Sequence, residues 1–144
     1  MINVTKQFEF DCAHRLENYK GLCQNIHGHR YKLLVTVARK NDDVEDGFVA
    51  DFKDVKKIVN EKFVNLVDHA FIFNCKDEDS LDIAKFLVTK IDQRVYRMPY
   101  KTTAENMARY IYQLLNKEFK CYDLKCTKIV LFETPTSYVK YKEE

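Results

Sequence analysis

Cys23-Gln24-Asn25-Ile26-His27-Gly28-His29-Arg30-Tyr31-Lys32-Leu33-Leu34-Val35-Thr36-Val37 begins as a polar, glycine-containing approach and ends as a strand. From His29 to Lys40, Tyr31, Leu33, Val35 and Val37 alternate with Lys32, Leu34, Thr36 and Ala38, which is the two-residue period of a β-strand. Apolar residues stand on both faces of that strand, so both faces are expected to be covered. Residues two apart on a strand project to one side, so His27 and His29 can chelate one ion together. Gly28 leaves the opposite side uncrowded and lets the chain bend where the loop enters the strand. Upstream, Asn3 to Asp11 is β-rich and the apolar stretch Phe8 to Ala13 ends on His14. An antiparallel neighbour starting near His29 would bring His14 alongside as a third ligand. Three imidazoles leave a tetrahedral zinc one open position, the arrangement of catalytic sites. An isolated His-x-His pair is commonly two ordinary strand histidines. Here it is accompanied by His14 and Cys23, from a chain with only four histidines.

Further along, Asp46-Gly47 supplies a turn, and Asp51 caps a helix with the apolar stripe Phe52, Val55, Ile58, Val59, Phe63 and Leu66. That helix ends before Asp68-His69, where a carboxylate can fix an imidazole that titrates near neutrality. Ser80 to Ile91 reads as an extra helix and Val95 to Met98 as a short strand. Thr102-x-x-Glu105 has the pattern of a capping box, and Met107, Ala108, Ile111, Leu114 and Leu115 follow at helical spacing. Strands from Lys125 to Thr134 and Ser137 to Tyr141 flank a turn at Pro135. Glu133 follows the wholly apolar Ile129 to Phe132, where a carboxylate is costly unless a partner meets it. The order is ββααββ, an α+β fold with a four-stranded antiparallel sheet, helices on one face and a small helix/strand insertion near 80–98. Open sheet edges and an apolar reverse face predict self-association.

The 144 residues read as one domain, 1–144, long enough to bury roughly 70% of the unfolded surface. Lys and Arg number 24 against 22 Asp and Glu and are scattered, which argues against a nucleic-acid stripe or a membrane-surface helix. An anionic small substrate is compatible with that balance. No apolar run approaches the roughly 18 residues of a membrane span, and the N-terminus has no leader pattern, so a cytoplasmic protein is expected. Five cysteines form no paired framework and fit a reducing compartment. Cys12, Cys121 and Cys126 read as small core residues, whereas Cys23 lies in a polar segment four residues before a ligand, where a cation favours the thiolate.

Taken together, Phe8-x-Phe10-x-x-Ala13-His14, Cys23-x-x-x-His27-Gly28-His29, Gly47 with Asp51-Phe52, Asp68-His69, Thr103-x-Glu105-Asn106 and Glu133-Thr134 resemble the 6-pyruvoyltetrahydropterin synthase superfamily over essentially the whole chain. The likeness is greatest to its 6-carboxytetrahydropterin synthase branch, which serves queuosine biosynthesis, because three residues separate Cys23 from His27 whereas the pyruvoyl-forming branch has a longer gap. The resemblance implies the tunnelling fold, in which subunits close into barrels, usually a homohexamer of two stacked trimers with active sites at subunit interfaces. It implies 7,8-dihydroneopterin triphosphate as substrate, and a lyase reaction that releases triphosphate and acetaldehyde. By the same resemblance His14, His27 and His29 hold Zn2+, Cys23 is the base, and Asp68-His69 moves a proton on the other face. Glu133 would accept from the pterin, with Thr103 and Glu105 finishing that pocket. Glu105 reads equally as the acid of the capping box, and Asp51 as a helix cap. The chain departs from the family's pattern at Thr102, where Pro is frequent, in the stretch Ala70 to Asn74, and in the insertion at 80–98. A 6-pyruvoyl or folate-pathway product on the same fold, and a zinc- or pterin-binding module without turnover, are the alternative readings. A proton relay of Cys23 with Asp68-His69 argues against the module.

Overall fold

The computed structural model describes residues 1–41, 44 and 46–144. Strand β1 (Val4–His14) and strand β2 (His27–Arg39) form the antiparallel pair expected of them, with Phe8 opposite Leu33, Cys12 opposite His29 and His14 opposite His27. Alternation drives this pairing. Phe8, Phe10 and Cys12 on β1 and Tyr31, Leu33, Val35 and Val37 on β2 turn inward, and Phe10 stacks on Tyr31 at 5.1 Å between ring centres. Strands β5 (Leu124–Thr134) and β6 (Ser137–Tyr141) extend the sheet beyond β2, again antiparallel. One irregularity interrupts the β2–β5 ladder between Thr36 and Val37.

Helix α1 (Phe52–Val59) starts at Asp51, whose carboxylate accepts from the Lys53 N–H at 2.8 Å. It continues through a π turn, Asn60–Val64, into a last turn, Asn65–Val67. The extra residue of the π turn shifts the helical phase. Val55, Ile58, Val59, Phe63 and Val64 are buried, and Val67 takes the inward position that the 3.6-residue period assigns to Leu66, which is 45% exposed. Phe52, in the first turn, also faces solvent. Helix α3 (Ala104–Phe119) packs beside α1 on the same face of the sheet, burying Met107, Ala108, Ile111, Leu115 and Phe119.

Three features correct the sequence reading. The sheet has six strands in the order β4-β3-β1-β2-β5-β6, because Ala70–Asn74 forms a strand, β3, parallel to β1, and Val95–Met98 forms β4 parallel to β3. The extra helix α2 (Glu78–Ile91) packs on the opposite face from α1 and α3. There Phe71, Phe73 and Ala84 make a small second core, while Ile72 between them points into the main one. The reverse face of the four antiparallel strands is polar rather than apolar: Gln7, Glu9, Asp11, Arg30 and Lys32 lie along it. Arg30 pairs with Glu9 at 2.9 Å and Asp11 at 3.2 Å, and the Lys32 ammonium sits 4.0 Å from the Phe132 ring centre. Leu34, Val130, Phe132 and Tyr138, whose ring centre lies 4.7 Å from that of Phe132, form an apolar island there. No described helix is long and apolar enough to cross a membrane.

Candidate functional site

The register of β1 and β2 brings the three strand histidines together at one end of the sheet. The Nε2 atoms of His14 and His27 lie 3.2 Å apart, those of His27 and His29 3.1 Å apart, and one ligand atom from each of the three residues falls within 4.8 Å of the others. Backbone acceptors fix two tautomers. His14 Nδ1 faces the Thr102 carbonyl at 2.8 Å and His27 Nδ1 the Asn25 carbonyl at 2.7 Å, and a carbonyl accepts only, so each Nδ1 carries the proton. The Nε2 lone pairs of His14 and His27 are therefore aimed at one another, which is repulsive without a cation between them. Tetrahedral zinc with bonds of about 2.0–2.1 Å spaces its nitrogens about 3.3–3.4 Å apart, so the donor set fits that ion. His14 is 1% exposed, and burial pushes its pKa down to about 4, with His27 and His29 adding to the fall and the Thr102 contact opposing it. Burial also lowers His29, against the pull of Glu133. Neutral imidazoles are the ligand form.

A cavity of about 360 Å³ gathers Cys23, Thr103, Glu105 and Glu133 with Leu16, Tyr19 and the start of β6. Cys23 sits on a short 3-10 turn, Leu22–Gln24, held to the end of β1 by the Leu16 N–H donating to the Cys23 carbonyl at 3.0 Å. Glu133, at the end of β5, places Oε1 3.7 Å from His29 Nε2 and so links this cavity to the histidines. Its carboxylate is part-exposed and has that imidazole beside it, which relieves the desolvation that its apolar neighbours suggest. Thr103, not Thr102, caps α3, accepting from the Asn106 N–H at 3.2 Å. The capping box read at Thr102 to Glu105 is one residue out of register, and Glu105 is left facing the cavity.

Asp68 and His69 stand elsewhere. His69 lines a different cavity, of about 620 Å³, with Asp11, Arg30, Arg94 and the apolar Ile83 and Leu87 of α2. Asp68 Oδ1 lies 3.1 Å from His69 Nδ1, so the carboxylate orients the ring, which is 75% exposed. His69 has a left-handed backbone, φ 62°, which is unfavourable for a residue with a Cβ and is held here by its N–H donating to the Asp11 carbonyl at 2.6 Å. Asp11 also donates its own N–H to Asp68 Oδ1 at 3.0 Å. Sequence reasoning passed over Asp11, although a charged residue inside the stretch Phe8 to Ala13 was the available signal. Of the cysteines read as core, Cys12 and Cys126 are buried, with burial raising both thiols, but Cys121 is exposed on the turn that follows α3.

The family model described as 6-pyruvoyl tetrahydropterin synthase matches residues 3–144. The chain belongs to this family. It is 38% identical to the 6-carboxy-5,6,7,8-tetrahydropterin synthase of Haemophilus influenzae, covering 99% of this chain and 100% of that one, and 36% identical to the Rickettsia bellii protein of the same name, covering 97% and 99%. Among solved structures, the 6-pyruvoyl tetrahydropterin synthase of Caenorhabditis elegans superimposes with a TM-score of 0.68 at 26% identity, over 99% of this chain and 96% of that one. An uncharacterized protein of Wolinella succinogenes reaches 0.79 at 19% identity, over 99% and 98%, a likeness of fold. The family's tunnelling fold accommodates the six-stranded sheet found here.

Proposed function

We propose that this pterin synthase converts 7,8-dihydroneopterin triphosphate to 6-carboxy-5,6,7,8-tetrahydropterin, with release of triphosphate and acetaldehyde, as a step of queuosine biosynthesis in the cytoplasm. Near full-length likeness to relatives that bear this product's name supports the assignment, and so do the three residues between Cys23 and His27. The observation that carries it is the convergence of three imidazoles within reach of Glu133, whose cavity also holds Cys23.

His14, His27 and His29 would hold zinc, which supplies Lewis-acid polarisation of the substrate's side-chain oxygens. Glu133 accepts hydrogen bonds from the amino and ring N–H groups of the pterin, with Thr103 and Glu105 beside it. Cys23, as thiolate, takes a proton from a side-chain carbon, and His69, steered by Asp68, gives or takes one on the other face. Two side-chain hydroxyl oxygens end in acetaldehyde and the carboxyl group, so the second carboxyl oxygen comes from one water.

Cys23 and His69 lie in different cavities of one chain, and a second copy would unite them. Strand β3 covers the outer edge of β1 only at Cys12 and Ala13, and β6 is an outermost strand. Antiparallel pairing of β6 with a second copy's β1 continues the sheet. It also carries that copy's Asp11, Asp68 and His69 toward Ser137 and Tyr138, which line the Cys23 cavity. Repetition of this contact fits the ring of a trimer, and two stacked rings give a homohexamer.

The test is incubation of the zinc-loaded protein with dihydroneopterin triphosphate, followed by mass spectrometry of the pterin. The carboxylated product with acetaldehyde is expected. A pyruvoyl product would move the chain to the other branch, and unchanged substrate would leave it a binding module.

A further inference from the structure

We propose that Arg15 and Thr102 are positioning residues of the three-histidine centre, latching its β1 ligand to the N-terminal ends of α2 and α3 so that the 75–98 excursion helps set metal affinity. The inference rests on reading the histidines as a metal centre. It begins with the ring of His14, whose Nδ1–H is held by the Thr102 carbonyl at 2.8 Å. That carbonyl is not free to drift. Thr102 is 1% exposed, and its hydroxyl donates to the carbonyl of Arg15, the residue after the ligand, at 3.3 Å. Just before it, the Lys101 carbonyl accepts from the Asn106 side-chain amide at 3.0 Å, which ties the segment to the first turn of α3.

The Arg15 side chain closes the other end. Its Nη1 donates to Asp77 Oδ2 and to Ser80 Oγ, both at 2.7 Å, with the two charged partners each 20% exposed. Asp77 is at the same time the cap of α2, accepting from the Ser80 N–H at 3.0 Å and the Ser80 hydroxyl at 2.6 Å. His14, Thr102, Arg15, Asp77 and Ser80 therefore form one hydrogen-bonded chain from the ligand to the inserted helix. Imidazole ligands whose second nitrogen is fixed bind metal more tightly, and loss of such outer contacts typically costs about 10–100-fold in affinity. A hydroxyl buried at Thr102 has a reason to be there when its partner is the backbone next to a ligand.

Metal-stripped full-length protein is titrated with Co2+ against a competing chelator, reading both affinity and the d–d absorption band. Thr102→Val and Arg15→Met are each expected to weaken cobalt binding about tenfold and to alter the band, with Thr102→Ser restoring both. Arg15→Met, at the outer end of the latch, carries the test where Thr102→Val does not fold. Wild-type affinity and spectrum in both Thr102→Val and Arg15→Met, with only their metal-free melting lowered, would overturn the proposal. Failure of the wild type itself to take up cobalt would instead bring down the metal-centre reading on which it rests.

Discussion

Acidification of the metal-free protein is expected to destabilise it through His14. Its pKa is about 4 in the folded chain against an ordinary value of 6.5, chiefly because burial disfavours the charged ring. Above pH 6.5 the ring is neutral in both states and folding keeps its full stability. As pH falls below 6.5 the unfolded chain binds a proton that the folded chain refuses, so stability is lost progressively until about pH 4. The full difference corresponds to about 3 kcal/mol, and the portion between pH 7 and pH 5 to about 2 kcal/mol. Urea unfolding at fixed protein concentration after chelation, at pH 7, 6 and 5, measures it. His14→Gln cannot titrate, so the difference in pH slope between wild type and variant isolates the imidazole from the carboxylates, whatever the variant does to stability at pH 7. Parallel slopes would refute the reasoning, because they would mean that His14 is as readily protonated inside the protein as outside.

Cys23→Ala should lower kcat by 10²-fold or more with zinc content unchanged, checked by single-turnover kinetics and metal analysis; unchanged turnover removes Cys23 from the mechanism. Mixing Cys23→Ala with His69→Ala subunits, each inactive alone, should restore part of the activity, since some interfaces then combine an intact thiol with an intact imidazole. Glu133→Gln should raise the Kd of a pterin product about 10–100-fold by calorimetry, the loss of a charge-assisted acceptor worth about 1.5–3 kcal/mol. Leu33→Ala, at a position with 0% exposure, should cost about 2–5 kcal/mol in denaturant unfolding without changing zinc content.

The half of the fold that gathers the three histidines was open to reading because its signals are local. Alternation in β1 and β2 sets their inward faces, and antiparallel pairing follows once His14 is placed opposite His27 at the start of β2. Strand β3 was hidden for the opposite reason. Ala70 to Phe73 are all buried, with Ile72 facing one core and Phe71 and Phe73 the other, so these four residues show no polar beat and their partner β1 lies far back in the chain. The same ambiguity placed all the principal helices on one side, since nothing in Glu78–Ile91 states which face of the sheet it will cover. Two adjacent threonines, Thr102 and Thr103, offer the same capping chemistry, and only the path of the backbone decides between them. The Asp68–His69 pair was visible as a pair, but its separation from Cys23 depends on β3 lying beyond β1 and on a left-handed residue that no short pattern announces.

The π turn at Asn60–Val64 makes the length of this stretch part of its meaning. Because it carries one residue more than a regular turn, deleting a single residue there would leave an ordinary α-helix whose downstream residues keep their phase around the axis. Val67 would stay in the interior, and Asp68 would keep the backbone amide of Asp11 that holds it. A second inserted residue, with no further bulge to absorb it, would instead turn Val67 and Asp68 by about 100° around the axis, so the stretch between Val59 and Asp68 can lose one residue but not gain one, a constraint of counting rather than of chemistry.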